Sequence, residues 1–135
     1  MEALSPQGAL LVSCISRLPR GRVPRHAWAA EVLVEQLWEG VVREDAGSWR
    51  AVLAPMMRRD GVNAGRVRAE MWELARLGAL VPVGVGSDAA YETAELGETA
   101  ATNGLSPQEG QAADFAVRQL TARLLALSNT ARASR

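Results

Sequence analysis

Apolar positions recur at helical spacing over most of this chain and alternate at strand spacing in one short region. Ser5-Pro6-Gln7 reads as a helix start, with serine capping and proline in the first turn, ahead of the apolar stretch Ala9–Ile15. That helix should stop before Pro19, and "LPRGRVPRH" (18–26) reads as a basic loop held by two prolines and a glycine. A second helix is expected from about Arg25 to Glu44. Ala27, Ala30, Val34, Leu37, Trp38 and Val41 fall on one of its faces. Trp28, Val32 and Leu33 lie off that stripe, so more than one side of this helix should be covered.

"EDAGS" (44–48) interrupts the pattern, and Ser48 is placed to cap "WRAVLAPMMRRDG". Pro55 predicts a kink or a fresh start at Ala54-Pro55. Asn63 is a good cap for the next helix, whose buried stripe should be Val67, Met71 and Leu74 and whose end is Gly78. "ALVPVGV" and "AAYET" then read as two strands around a glycine-containing turn, with Pro82 confining the first to an edge or a bulge. "AELGETAA" suggests a further helical turn or two, and "TNGL" a break. Ser106-Pro107-Gln108-Glu109 carries the capping-box signature of a last helix reaching about Ser128, and "NTARASR" reads as a frayed tail.

Residues 48–101 resemble the winged helix-turn-helix proteins, most closely small bacterial transcriptional regulators of the MarR and PadR type. Gly61-Val62-Asn63, then Val67, Met71 and Leu74, then Gly78-Ala79-Leu80-Val81 follow that family's turn and second helix. Tyr91-Glu92-Thr93 leading into Glu95-Leu96-Gly97 follows its closing strand and next helix start. The resemblance implies a mainly α fold with a small β-hairpin wing, flanked by N-terminal helices (1–47) and a C-terminal helix (106–131), in one domain over 1–135. Asp60 departs from the leucine expected before the turn glycine. "LVPV" and "SDAA" stand where MarR-type wings carry arginine, so the likeness extends to the wing's shape and not to a wing contact with DNA.

Composition sharpens the picture. With 48% hydrophobic residues a packed core is expected, and no apolar run approaches the roughly 20 residues that span a bilayer. "MEALSPQG" does not resemble a signal peptide. A single cysteine, Cys14, in an apolar stretch reads as a buried structural thiol, and a cytoplasmic location is expected. One histidine and one cysteine make neither a zinc site nor a Cys-His pair, and neither a phosphate loop nor a nucleophile elbow is visible. No enzymatic activity, metal or cofactor is therefore expected.

All 15 basic residues are arginine, and they balance 15 acids. Zero net charge weighs against phosphate binding, but the distribution is uneven. Residues 1–76 hold eleven arginines against nine acids, whereas 77–105 hold four acids and no arginine. A DNA-facing surface should therefore lie in the first segment.

If Val67, Met71 and Leu74 face the core, the opposite side of that helix carries Gly65, Arg66, Ala69, Glu73 and Arg76, flanked by Arg68 and Trp72. A recognition helix offers its N-terminal residues to the major groove, so Asn63, Arg66, Arg68 and Ala69 are the candidates for base edges. Arg58 and Arg59 are placed for phosphates, as are Arg20, Arg22 and Arg25 if their loop folds to the same side. Trp72 is expected at a rim or in the core rather than as a platform for bases. The four tryptophans should be mostly core, with Trp28 and Trp49 partly exposed at helix starts.

In the last helix Ala113, Val117, Leu120, Leu124, Leu127 and Ala131 keep the four-three spacing of a helix seam, with Phe115, Ala122 and Leu125 on another side. A homodimer joined through Val117, Leu120, Leu124 and Leu127 is the expectation, against simple packing within the chain. The partner expected is double-stranded DNA, bound by a dimeric regulator. The rival reading is a winged-helix adaptor or assembly subunit that binds protein instead.

Overall fold

In the computed structural model, which describes residues 4–25, 27–94 and 106–133, five α-helices accompany a small antiparallel sheet. They are α1 (Pro6–Ser16), α2 (Ala27–Glu44), α3 (Gly47–Leu53), α4 (Ala64–Arg76) and α5 (Pro107–Ala133). Strands β1 (Arg22–Pro24), β4 (Leu80–Val83) and β5 (Ala90–Thr93) form a sheet in the order β1-β5-β4. A separate two-strand ladder joins β2 (Met57–Arg58) to β3 (Gly61–Val62). The fold is thus mainly helical with little sheet, as the sequence pattern predicts.

Local chemistry accounts for most helix ends. Ser5 Oγ accepts from the Gly8 amide at 3.0 Å, and Asn63 Oδ1 accepts from the Arg66 amide at 3.3 Å. At α5 both bonds of the capping box form: the Glu109 amide donates to Ser106 Oγ at 3.2 Å, and the Ser106 amide donates to Glu109 Oε1 at 3.1 Å. Gly78, at φ 80°, adopts the left-handed conformation that ends α4.

Three expectations about loops, caps and turns need correction. The basic loop contains a strand: Arg20 and Gly21 both take positive φ, reverse the chain, and set Arg22–Pro24 against Glu92–Ala90 of β5. Ser48 does not cap α3, which begins at Gly47 after Ala46 with no side-chain cap. Asp45, itself left-handed, turns the chain one residue earlier, and the Trp49 and Arg50 amides bond the Ala46 carbonyl. Gly61-Val62 is not a tight turn between helices. Pro55 ends α3 in a 3-10 turn (Ala54–Met56), and the chain returns through the β2–β3 ladder around Arg59-Asp60 before α4. Asp60 is therefore an exposed turn residue, which explains why no leucine stands there.

The core draws on every helix: Leu11 and Ile15, Leu33, Val34 and Leu37, Leu53, then Val67, Met71 and Leu74, and finally Ala113, Ala116 and Leu120. Leu33 is fully buried and Val32 partly so, so α2 is covered on more than one side. Helix α5 lies against α2 closely enough that a methyl group on Gly40 would stand 2.9 Å from the Ala112 carbonyl oxygen. Arg17 ties the end of α1 to the same helix, donating to Asp114 Oδ1 at 2.6 Å and to the Gly110 carbonyl at 3.2 Å. Cys14 is fully buried, as expected, and burial pushes its thiol up to about 12.

The seam expected between subunits is largely consumed within the chain. Val117 and Leu120 are buried, Leu124 is half-buried against the core, and Leu125 and Leu127 are exposed. The first two meet the chain's own core, so the dimer expectation is corrected for Val117 and Leu120. Helix α5 continues to Ala133 rather than fraying from Asn129. Trp49 is buried rather than partly exposed, because α3 turns it inward. The expected turn after Ala94 and the break before Ser106 lie outside the described residues, as do the side chains of Ala27, Trp28 and Ala131. Among the described residues no helix is long and apolar enough to cross a membrane.

Candidate nucleic-acid interface

Helix α4 separates its residues cleanly. Val67, Met71 and Leu74 are buried, while Gly65, Arg66, Arg68, Ala69, Trp72 and Arg76 are exposed. The three apolar positions recur at four and three residues, which puts them on one stripe and leaves the charged side outward. Those six exposed residues are open to solvent, with Arg68 and Trp72 at the margin toward the sheet.

Its charges are partly engaged. Arg66 Nη2 lies 3.4 Å from Glu70 Oε1, one turn along, and Ser5 Oγ donates to the other oxygen of Glu70 at 3.4 Å. Arg76 Nε donates to Glu73 Oε2 at 3.0 Å, which lowers the Glu73 carboxyl below its ordinary range. In both pairs the arginine end is exposed, so water screens the attraction and the pair contributes little.

Asn63 stands differently from the expectation. Its Oδ1 accepts from both the Arg66 amide and Arg58 Nη2, each at 3.3 Å. An adenine contact that used both ends of this amide would cost the helix its cap, so Asn63 serves as the structural start of α4. Arg58 is fixed to it from β2, and Arg59 is exposed in the neighbouring turn. Both arginines therefore flank the N-terminus of α4, where phosphate contacts were expected. Arg66, Arg68 and Ala69 remain on the open face.

The sheet brings a further arginine to this side. The Arg25 amide donates to the Ala89 carbonyl at 3.0 Å, and its guanidinium sits 5.2 Å from the centre of the Tyr91 ring. A cavity of about 230 Å³ lies between β1, β5 and α4, lined by Pro24, Arg25, Ala30, Arg68, Met71, Trp72 and Tyr91. Trp72 is 67% exposed there, so it is a rim residue and not part of the core. Arg22 instead pairs with Glu92 across the β1–β5 ladder at 3.2 Å, and Arg20 is exposed in the preceding turn. Arg25 was a candidate only if its loop folded to this side, and that folding depends on a strand pairing across about 70 residues of chain. The one available signal was Val23 set between basic and proline residues, a β-branched residue inside a supposed loop.

The β4–β5 hairpin offers little to a phosphate. Gly84 is required at its bend, because at φ 72° a methyl group there would collide with the Asp88 carbonyl oxygen. The connection continues through a 3-10 turn (Gly86–Asp88) whose exposed side chains include Asp88, with Val85 85% exposed beside it. Val81 is also exposed on the edge strand β4, and Pro82 lies on that edge as expected.

A larger cleft of about 550 Å³ opens elsewhere, between α1, α2 and α5, lined by Arg17, Glu44, Gln111, Asp114, Val117 and Arg118. Its lining carries both signs of charge, and the Arg17–Asp114 bond already joins two of its groups. Among the described residues no three histidine, cysteine or acidic side chains gather to hold a metal ion. Compared with known proteins, the chain matches no family model, no curated protein and no solved structure.

Proposed function

We propose that this chain is a winged helix-turn-helix protein that binds double-stranded DNA through α4, as a dimeric cytoplasmic transcriptional regulator. The observation that carries the reading is the open face of α4, where Arg66, Arg68 and Ala69 stay exposed while Val67, Met71 and Leu74 are buried. Helix α4 enters the major groove with its first two turns. Arg66 reaches base edges with Arg68 close by, and Ala69 permits close approach. Arg58, Arg59 and Arg25 stand on the two flanks of that helix and neutralise phosphates. The three-stranded sheet beside α4 supports the likeness to a wing, while its arginine-free tip leaves the groove contact to the helix.

The second copy docks on the exposed end of α5, through Leu125 and Leu127 with Leu124 at the edge. Two-fold symmetry of that kind suits a palindromic site. One observation favours the rival, a winged-helix module that binds protein: Trp72, Val81 and Val85 are large apolar side chains left exposed.

The test is binding of duplex DNA by mobility shift across a salt series, for the wild type and for Arg66→Ala with Arg68→Ala. Binding should be salt-sensitive, and the double variant should weaken it and relax its sequence preference, as loss of a base-edge contact does. No binding at micromolar protein, with a protein partner recovered through the Trp72 surface, would replace this reading by its rival.

A further inference from the structure

We infer that the cavity between α4 and the sheet takes one unpaired nucleobase with its phosphate, so that the preferred nucleic acid carries a single-stranded segment next to the duplex. This deepens the DNA-binding reading and rests on it.

The cavity's chemistry differs from that of the rest of α4. Two aromatic side chains, Trp72 and Tyr91, and two guanidinium groups, Arg25 and Arg68, line it over apolar Pro24, Ala30 and Met71. Among the described residues no carboxylate lines it. The acids that neighbour its two aromatic residues in sequence are engaged elsewhere, Glu92 with Arg22 and Glu73 with Arg76. Arg68 and Trp72 stand one turn apart on α4 and so share a face, and Arg25 approaches from β1 over the Tyr91 ring.

Size and shape select among anionic partners. A volume of about 230 Å³ lies below the roughly 300–1,000 Å³ of clefts that take drug-sized ligands, which suits a single small ring. A base stacked in a duplex offers only its edges, which arginine on a helix can read without any aromatic neighbour. Aromatic side chains in a concavity engage a ring's face, and that face is free only when the base is unstacked. Beside the aromatic pair, the two guanidinium groups supply the charge that a flanking phosphate needs. Trp72 is also the most exposed tryptophan among those with described side chains, Trp38 being half-buried and Trp49 buried. A large ring left in water on the charged face is explained when a second ring covers it.

The experiment is fluorescence anisotropy of three labelled DNAs at low salt: a blunt duplex, the same duplex with a short single-stranded overhang, and the overhang strand alone. Wild type, Trp72→Ala, Trp72→Phe and Arg25→Gln with Arg68→Gln are compared, with circular dichroism checking each fold. The overhang duplex should bind about tenfold more tightly than the blunt one. Trp72→Ala should erase that difference and leave blunt-duplex affinity unchanged, Trp72→Phe should keep most of it, and the arginine pair should weaken the overhang complex most. Equal affinity for blunt and overhang duplexes, or equal losses on both with Trp72→Ala, overturns the inference while duplex binding stands. Binding of none of the three DNAs overturns the DNA-binding reading and this inference together.

Discussion

Helix α4 buries its whole apolar stripe and turns a charged side to solvent, whereas α5 buries its stripe as far as Leu120 and then runs past its cover. On α4 the four-three spacing of Val67, Met71 and Leu74 matches the width of the neighbouring core. On α5 the same spacing continues to Leu127, which is 53% exposed. Length explains the contrast. At 27 residues α5 extends about 40 Å, and α2, its main cover, extends about 27 Å with 18 residues. Periodicity therefore reports which side of a helix is apolar, and the length of the opposing element decides how much of that side the chain itself covers.

The sharpest way to break this contrast is Leu120→Glu against Leu127→Glu. The first places a carboxylate at a fully buried position and should cost upward of about 4 kcal/mol, enough to abolish a cooperative thermal transition. The second should change stability by about 0.5 kcal/mol or less, and by light scattering it should lower the mass of any dimer. Equal destabilisation by the two would show that the end of α5 is covered after all.

Next in size is the α4 stripe. Met71→Ala and Leu74→Ala should each cost about 2–5 kcal/mol in denaturant unfolding, since both side chains are buried. Leu74 matters for a second reason: a methyl on Gly8 of α1 would stand 2.9 Å from its Cδ2, so the two helices meet there without slack.

The helix starts give a smaller and more even comparison. Ser106→Ala and Asn63→Ala should each cost about 1 kcal/mol, because each side chain satisfies an amide at the start of its helix. Asn63→Ala should also release Arg58, which a change in duplex affinity would reveal.

Alkaline pH isolates the core beneath both helices. The Cys14 thiol ionises at 9.0 when unperturbed and at about 12 in the fold, so the native state holds its proton after the unfolded chain has lost it. Stability should fall as pH rises through that interval, by about 1.4 kcal/mol per unit, and Cys14→Ala should remove this component. The smallest effect belongs to Arg66→Ala with Arg68→Ala, which should leave stability within about 0.5 kcal/mol while weakening any DNA complex.

Much of this molecule was legible from local chemistry. The caps at Ser5, Asn63 and Ser106, the glycine stop at Gly78 and the stripe on α4 each depend on residues within a turn of one another, and each is found as expected. What escaped depends on distant partners. Strand β1 exists because β5 pairs with it, and an isolated Arg22-Val23-Pro24 has no reason to be extended. The β2–β3 ladder escaped for another reason: two-residue strands carry too little alternation to register. At the candidate interface, Arg66 and Arg68 were readable from spacing along one helix, whereas Arg25 joined them only through the sheet.

That sheet has β5 in the middle, with β1 on one flank and β4 on the other. Because Pro24 pairs with Ala90 and the Arg25 amide bonds the Ala89 carbonyl, the hairpin tip and the arm that carries Arg25 lie side by side at one end of that sheet. A contact made at the tip is therefore one backbone hydrogen bond away from Arg25.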